Sequence, residues 1–445
     1  MQKIANLSNI LNEFFNKKAD DISLTTGFVK RKRKLRGSAF IKAMVLGNLG
    51  NGSCSIDGLC QFLYEDSIEI TKQGLDFRFT KSAEAFMEKM FHEALNLFKN
   101  GLLIEAEILQ QFKSVKLLDS TYINLPSSME SLYKGYGSSY QGRESPTKSG
   151  LKLQFVFDYL NQTLDRLDLK EGKRSDQGYK DHLNDISAND LLIADLGYFV
   201  PGSFKRIDES KGYFISRYKA DTNLYDVNTH QKVDLLKELG PQEFLEKHVL
   251  LGKEVKQQVR LICKKLSPQQ SIARKRKANK LAKSHGYTSS QRNQRLLDWS
   301  IFITNIPENK VCSEKVFLIY SLRWQIELLF KLYKSYIQIE ALKGKFNSSR
   351  ILCELYAKLC IGIIFQAMTG CIELEKNAEF SPIKAMIELK NRARELFIAL
   401  SNSVDILEVF LKKLILSWSK FSLKDRYRKI RISTLSAVKL LNINP

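Results

Sequence analysis

Three carboxylates in this chain stand in settings that suit metal-dependent phosphoryl transfer. Asp119 emerges from the apolar run 115–126, Asp195 ends the apolar run 190–194 just before Gly197, and Glu327 lies within the stretch 320–334. Read as a helix at 100° per residue, Tyr320, Arg323, Glu327, Lys331 and Lys334 fall within roughly an 80° stripe. Leu318, Leu322, Ile326, Leu329, Phe330 and Tyr333 occupy the far side, as a buried face would. One reading of the stripe is a solvated ladder of pairs four residues apart, Arg323 to Glu327 to Lys331. The other is a metal-binding Glu327 flanked by groups that grip a phosphate backbone. Singly, Asp119 and Asp195 also read as caps at strand ends. Together the three acids supply the acceptor-only oxygens that hard Mg²⁺ ions take. Two such ions about 3.5–4 Å apart activate an attacking oxygen and stabilise a leaving one. Like-charge repulsion leaves such a site strained without metal. Asp158 and Asp165 are rival acids on neighbouring strands, read as structural or peripheral.

These acids need a scaffold. Residues 115–126, 151–158 and 163–169 read as strands of an antiparallel meander, and 190–194 and 213–218 as later strands separated by a helix at 203–209. That is an α/β pattern. The Ser-, Gly-, Tyr- and Lys-rich segment 127–150 reads as a loop, and 173–176 as the start of a helix reaching about residue 186. From 219 to 298 the pattern changes to strands at 248–251 and 255–263, then a basic helical segment containing Arg274-Lys-Arg-Lys277. This is read as an insertion, because Trp299 opens a strand at 299–305 and the acid-bearing helix follows. The expected division is 1–110 helical, 111–218 core, 219–298 insertion, 299–372 core resumed, and 373–445 helical.

The totals fit a chain that handles a polyanion. Its 445 residues exceed what one simple core holds, and 44% hydrophobic with 27% charged residues describes a globular protein. A net charge of +22 points to nucleic acid. A membrane is not expected: the longest uncharged apolar run, 359–372, is too short to span one. The start of the chain lacks a secretory signal. Seven cysteines without a CxxC pair read as reduced thiols of a cytoplasmic protein, with no zinc site. In the basic run 30–36, Lys30, Arg31 and Arg33 read either as a solvated arm or as phosphate contacts. Ser55 and Thr71 are candidate caps of two short helices. That pair is compatible with a helix-turn-helix, which would bring Lys72, Gln73 and Arg78 to DNA, although any helical bundle contains such pairs.

The motifs Asp119-Ser-Thr121, Asp195-Leu-Gly-Tyr198 and Tyr320-x2-Arg323-x3-Glu327-x6-Lys334 resemble those of bacterial insertion-sequence transposases of the DDE class, specifically the insertion-sequence-four family. The resemblance covers roughly residues 110–370. It implies an RNase H-like catalytic core interrupted by a β-strand insertion and flanked by helical N- and C-terminal domains. It implies cut-and-paste transposition: nicking at element ends, a hairpin at each end, hairpin opening, and strand transfer to target DNA. Asp119, Asp195 and Glu327 would then hold two Mg²⁺ ions, with Mn²⁺ as substitute. Tyr320, Arg323 and Lys334 would contact end-strand phosphates, with Lys331 on the same stripe, and Trp299 would help hold a flipped base. Double-stranded DNA, as terminal repeats and as target, is the implied partner, handled by a homodimer located at the nucleoid. The alternative is a catalytically inactive DNA-binding regulator derived from a transposase; a stand-alone RNase H-like nuclease is a minor third reading.

Overall fold

The computed structural model describes residues 2–31, 35–98, 107–137, 139–140, 143–144, 148–284, 286–344, 346–375 and 378–424. Its framework is one mixed sheet. The strands in chain order are β1 (Ser114–Asn124), β2 (Ser139–Tyr140), β3 (Arg143–Glu144), β4 (Gly150–Asp158), β5 (Thr163–Glu171), β6 (Asp190–Ala194), β7 (Tyr213–Arg217), β8 (Leu224–Asp226), β9 (Phe244–Leu251), β10 (Gln257–Lys265) and β11 (Trp299–Thr304). β2 and β3 form a small separate hairpin in the segment read as a loop. The other nine run in the order β5-β4-β1-β6-β7-β11-β10-β9-β8. Every residue of β4 and β6 is buried because both faces of the sheet are covered.

The register of this sheet sets the chemistry. β1 pairs antiparallel with β4, Asp119 opposite Phe155, and parallel with β6, Leu118 opposite Ala194. One step further along that parallel register stand Asp119 and Asp195. A single-residue slip would turn one of them to the other face. β7 continues the parallel set, and β11, β10, β9 and β8 extend the same sheet by antiparallel pairing. The strands within 219–298 therefore lengthen the core sheet instead of forming a separate one.

Two apolar cores cover the sheet. On one face β1, β4 and β5 pack with the N-terminal helices, the 22-residue helix Ser348–Thr369 and the C-terminal helices. The N- and C-terminal helices interlock there: Phe62 meets Phe397 edge-on at 5.2 Å, and the buried Lys42 Nζ donates to Ser401 Oγ. Ser348–Thr369 is long and apolar enough to cross a membrane, but it lies wholly inside the protein. On the other face β6, β7 and β9–β11 pack with Tyr179, Tyr198, Phe204 and Leu235.

Two local expectations are corrected. The segment after residue 173 does not form a helix to residue 186; it makes two short 3₁₀ turns, Asp176–Gly178 and Asp181–Asp185. Ser175, not Asp176, supplies the cap by accepting from Gly178 N, and the Asp176 carboxylate is committed elsewhere. The acid-bearing helix is also not one uniform rod. It runs Ser313–Ser321, tightens through three-residue bonds at Leu322 and Arg323, resumes as Trp324–Lys331, and widens into a π turn at Leu332–Tyr336. π turns often mark functional positions.

Candidate active site

Asp119 sits where β1 passes the end of β6, and its carboxylate is largely buried. Oδ1 accepts from Ser120 N at 2.8 Å and Oδ2 from Arg323 Nη1 at 2.9 Å. Burial pushes its pKa up to about 7; Arg323 and the Ser120 amide oppose this, while Asp195 and Asp176 add to it. Asp195 follows the last residue of β6 and opens the 3₁₀ turn Leu196–Tyr198. Glu327 is on the first turn of Trp324–Lys331, where its Oε1 accepts from Arg323 Nη2 at 2.9 Å.

Arg323 is thus the hub. Burial works against its charge, yet Asp195, Asp119, Tyr320 and Glu327 together hold its pKa above the ordinary guanidinium value. Lys334 reaches the same strand from the π turn, donating Nζ to Tyr122 O at 2.6 Å. Lys331 is exposed. Of the ladder 323–327–331 the first rung is present, and its Arg323 also reaches Asp119 on β1.

Tyr320 is not on the open stripe. Only 6% exposed, it packs edge-on against Phe302 at 4.6 Å, beneath the Arg217 guanidinium at 5.6 Å. Burial raises its pKa, and Asp195 adds to that. The Trp299 ring is packed: it is 6% exposed in the second core, which also holds Leu296, Ile301 and Cys263, because the first residue of β11 points into that core. Its carbonyl accepts from Arg274 Nη1 at 2.6 Å.

Sequence reasoning missed three residues here. Arg217 at the end of β7 and the half-buried Arg274 stand close enough that burial, then Arg217, lowers the Arg274 pKa. The Arg217 guanidinium lies over the Tyr320 ring. Asp176 is the third: its Oδ1 accepts from Ser120 Oγ at 2.9 Å, Gln154 Nε2 at 3.1 Å and Lys152 Nζ at 3.2 Å. The signal was there in β4, whose apolar run carries Lys152 and Gln154 two apart on one face; buried polar groups need a partner. The rival acids are structural: Asp158 caps its own turn through Leu160 N and Asn161 Nδ2, and Asp165 pairs with Lys116 at 3.4 Å.

The N-terminal candidates lie apart from these acids. Ser55 and Thr71 do cap their helices, by accepting from Gly58 N and Gly74 N. The second helix, Lys72–Asp76, has only five residues, and Lys72 is ion-paired with Asp57. Gln73 is exposed and Arg78 partly so. Lys30 and Arg31 are exposed, and Arg33 lies outside the described residues.

The donor set suits a hard divalent cation: three carboxylates, oxygen only, one of them held at a raised pKa by burial and by neighbouring acids. In the present arrangement the guanidinium of Arg323 supplies the positive charge between Asp119 and Glu327. Among the described residues no three His, Cys, Asp or Glu side chains converge as a ready ligand set.

Residues 110–361 match the family model described as the transposase DDE domain, which is more than half of the chain. The chain is 27% identical over 450 residues to the transposase for insertion sequence element IS231B of Bacillus thuringiensis subsp. berliner, covering 94% of this chain and 92% of the relative. It is 28% identical over 478 residues to the transposase for insertion sequence element IS1151 of Clostridium perfringens, covering 99% and 98%. Among solved structures, the piggyBac transposase synaptic complex with hairpin DNA is similar over 96% of this chain and 87% of that one, at a TM-score of 0.46 and 12% identity, too distant to carry detail. With the acids of its matched segment gathered around Arg323, this chain belongs to the DDE transposases of bacterial insertion sequences.

Proposed function

We propose that this transposase cuts and joins DNA with Asp119, Asp195 and Glu327 as the ligands of two Mg²⁺ ions, Mn²⁺ substituting. The observation that carries this reading is the parallel register of β1 and β6, which sets Asp119 beside Asp195, together with the guanidinium that joins Asp119 to Glu327. The strand order β5-β4-β1-β6-β7, an antiparallel meander followed by two parallel strands, supports an RNase H-like core. In this reading residues 111–218 and 299–372 form that core, 219–298 is its insertion, and the helical segments 1–110 and 373–445 contribute DNA and dimer contacts.

When bound, Mg²⁺ supplies Lewis acidity that activates the attacking oxygen and stabilises the leaving one. The protein's own part is to orient the scissile strand. Arg323 and Lys334, fixed from the helix to the strand end, clamp phosphates on either side of Glu327. Arg217 and Arg274 extend that positive rim past Asp195. Lys331 adds an exposed cation. Tyr320, buried below Arg217, supports the rim from underneath. Trp299 would have to leave its packed position to stack on a flipped base. The basic run with Lys30, Arg31 and Arg33, and the short helices bearing Lys72, Gln73 and Arg78, would hold duplex away from the acids. The products are cleaved element ends, formed through a hairpin and joined to target DNA by a homodimer.

The test uses the purified chain and duplex DNA bearing the inverted repeats that flank its coding sequence. Cleavage at the repeat boundary with hairpin ends on a denaturing gel supports the reading. Repeat binding without any strand cleavage in Mg²⁺ or Mn²⁺ would favour the inactive regulator.

A further inference from the structure

The Asp176 carboxylate has no place in the mechanism above, yet it links β1 beside Asp119 to the turn that Asp195 opens. Its Oδ1 takes three donors from two strands: Ser120 Oγ on β1, and Gln154 Nε2 and Lys152 Nζ on β4. Ser120 is the residue after Asp119, and Gln154 is its partner across the β1–β4 ladder. Gln154 is fully buried, and its Oε1 accepts from the hydroxyl of buried Tyr198. Tyr198 closes the 3₁₀ turn that Asp195 opens. One continuous chain of hydrogen bonds therefore runs from Ser120 through Asp176 and Gln154 to Tyr198. Its two ends lie one residue from Asp119 and three residues from Asp195. Gln154, Lys152 and Tyr198 are buried, so breaking a link to any of them leaves a buried polar group unpaired.

Resting on the metal-dependent reading above, we propose that Asp176 is a positioning residue of the active site, which fixes the spacing between Asp119 and Asp195 through Ser120, Gln154 and Tyr198. Lys152, buried and also bonded to Arg174 O at 2.6 Å, neutralises Asp176. Beside the charge it presents to Asp119, Asp176 contributes geometry, and this is felt as affinity for a divalent ion. Groups that orient metal ligands typically cost about 10- to 100-fold in metal affinity when lost.

The experiment measures Mn²⁺ binding to the full-length chain without DNA, by electron paramagnetic resonance, with thermal unfolding in parallel. Asp176→Ala and Asp176→Asn both leave Lys152 without its carboxylate, so their losses of stability should be alike. Only Asp176→Asn keeps an oxygen acceptor for Ser120 and Gln154. Asp176→Ala should weaken Mn²⁺ binding about 10- to 100-fold, and Asp176→Asn should recover most of that loss. Ser120→Ala and Tyr198→Phe, which each cut one link, should give partial losses. If Asp176→Asn binds as poorly as Asp176→Ala, the ion pair with Lys152 is what matters and the proposal is overturned. Wild-type affinity in both Asp176 variants, with Asp119→Asn binding no Mn²⁺, overturns this inference alone. Equal binding by wild type and Asp119→Asn removes the acid pocket as a metal site, and the inference goes with it.

Discussion

Arg323 ties Asp119 to Glu327 through one guanidinium, donating Nη1 to the first and Nη2 to the second at 2.9 Å each. These two acids are 208 positions apart in sequence, on a strand and on a helix, and the bridge brings them to one place. A fork of this kind is geometrically specific and twice as strong per bond as a neutral pair. It also puts a fixed cation between two carboxylates that need one.

Because Arg323 and a divalent ion would serve the same acids, replacing it should separate two effects. Arg323→Ala should lower the cleavage rate by on the order of a hundredfold, since a misplaced strand costs that much, while DNA-free Mn²⁺ affinity rises or holds. Lys334→Ala should lower cleavage similarly without raising Mn²⁺ affinity, because Lys334 bonds a carbonyl. Near wild-type cleavage in both variants, by initial-rate assay, would return this helix to a surface ladder.

Asp119 should make the metal-free protein less stable at neutral pH. Its folded pKa of about 7 lies above its unfolded value, so the folded chain binds more protons between pH about 4 and about 7. Its contribution is therefore fully present below that window and lost as pH rises through it. Asp119→Asn should be the more stable form at pH 7.5, by roughly 2–4 kcal/mol, with little difference at pH 4. Urea unfolding at both pH values without metal reads this directly; parallel pH profiles would contradict it.

Much of this was legible in the sequence. The runs 115–126 and 190–194 forecast two buried strands, and an aspartate within the first and another just after the second gave the chemistry. What could not be read was register: that Leu118 pairs with Ala194, which leaves Asp119 and Asp195 next along their two chains, is a long-range fact. Asp176 was hidden because a Ser-Asp pair before a polar stretch looks like a helix cap, and only the fold brings β4's Lys152 and Gln154 against it. Which way Trp299 faces was open, because the first residue of a strand can point to either side, and here the apolar floor of the second core decides.

Burial of Trp299 has its own consequence. Trp299→Ala should cost about 3–5 kcal/mol in unfolding free energy, the range for large core aromatics. If it opens to receive a flipped base, hairpin formation should fall further than first-strand nicking at a temperature where the variant is folded. Nicking and hairpin yield falling in parallel would confine Trp299 to the core.

Arg260 on β10 joins the extended part of the sheet to the start of the acid-bearing helix. Fully buried, it donates to Glu246 Oε1, to the carbonyls of Ile306 and Val311, and to Ser313 Oγ. Arg260→Met should leave these acceptors unpaired and destabilise the chain by about 3–5 kcal/mol, measured by urea unfolding. A loss below about 1 kcal/mol would mean that the helix start is held by other contacts.

The most direct measurement is strand cleavage of terminal-repeat DNA in Mg²⁺ by Asp119→Asn, Asp195→Asn and Glu327→Gln, each also assayed for repeat binding. If these acids hold the catalytic ions, every one of the three variants binds the repeat at near wild-type affinity and cleaves neither strand, in Mg²⁺ or in Mn²⁺. Substantial cleavage by any one of them would remove that acid from the site and contradict the three-carboxylate centre.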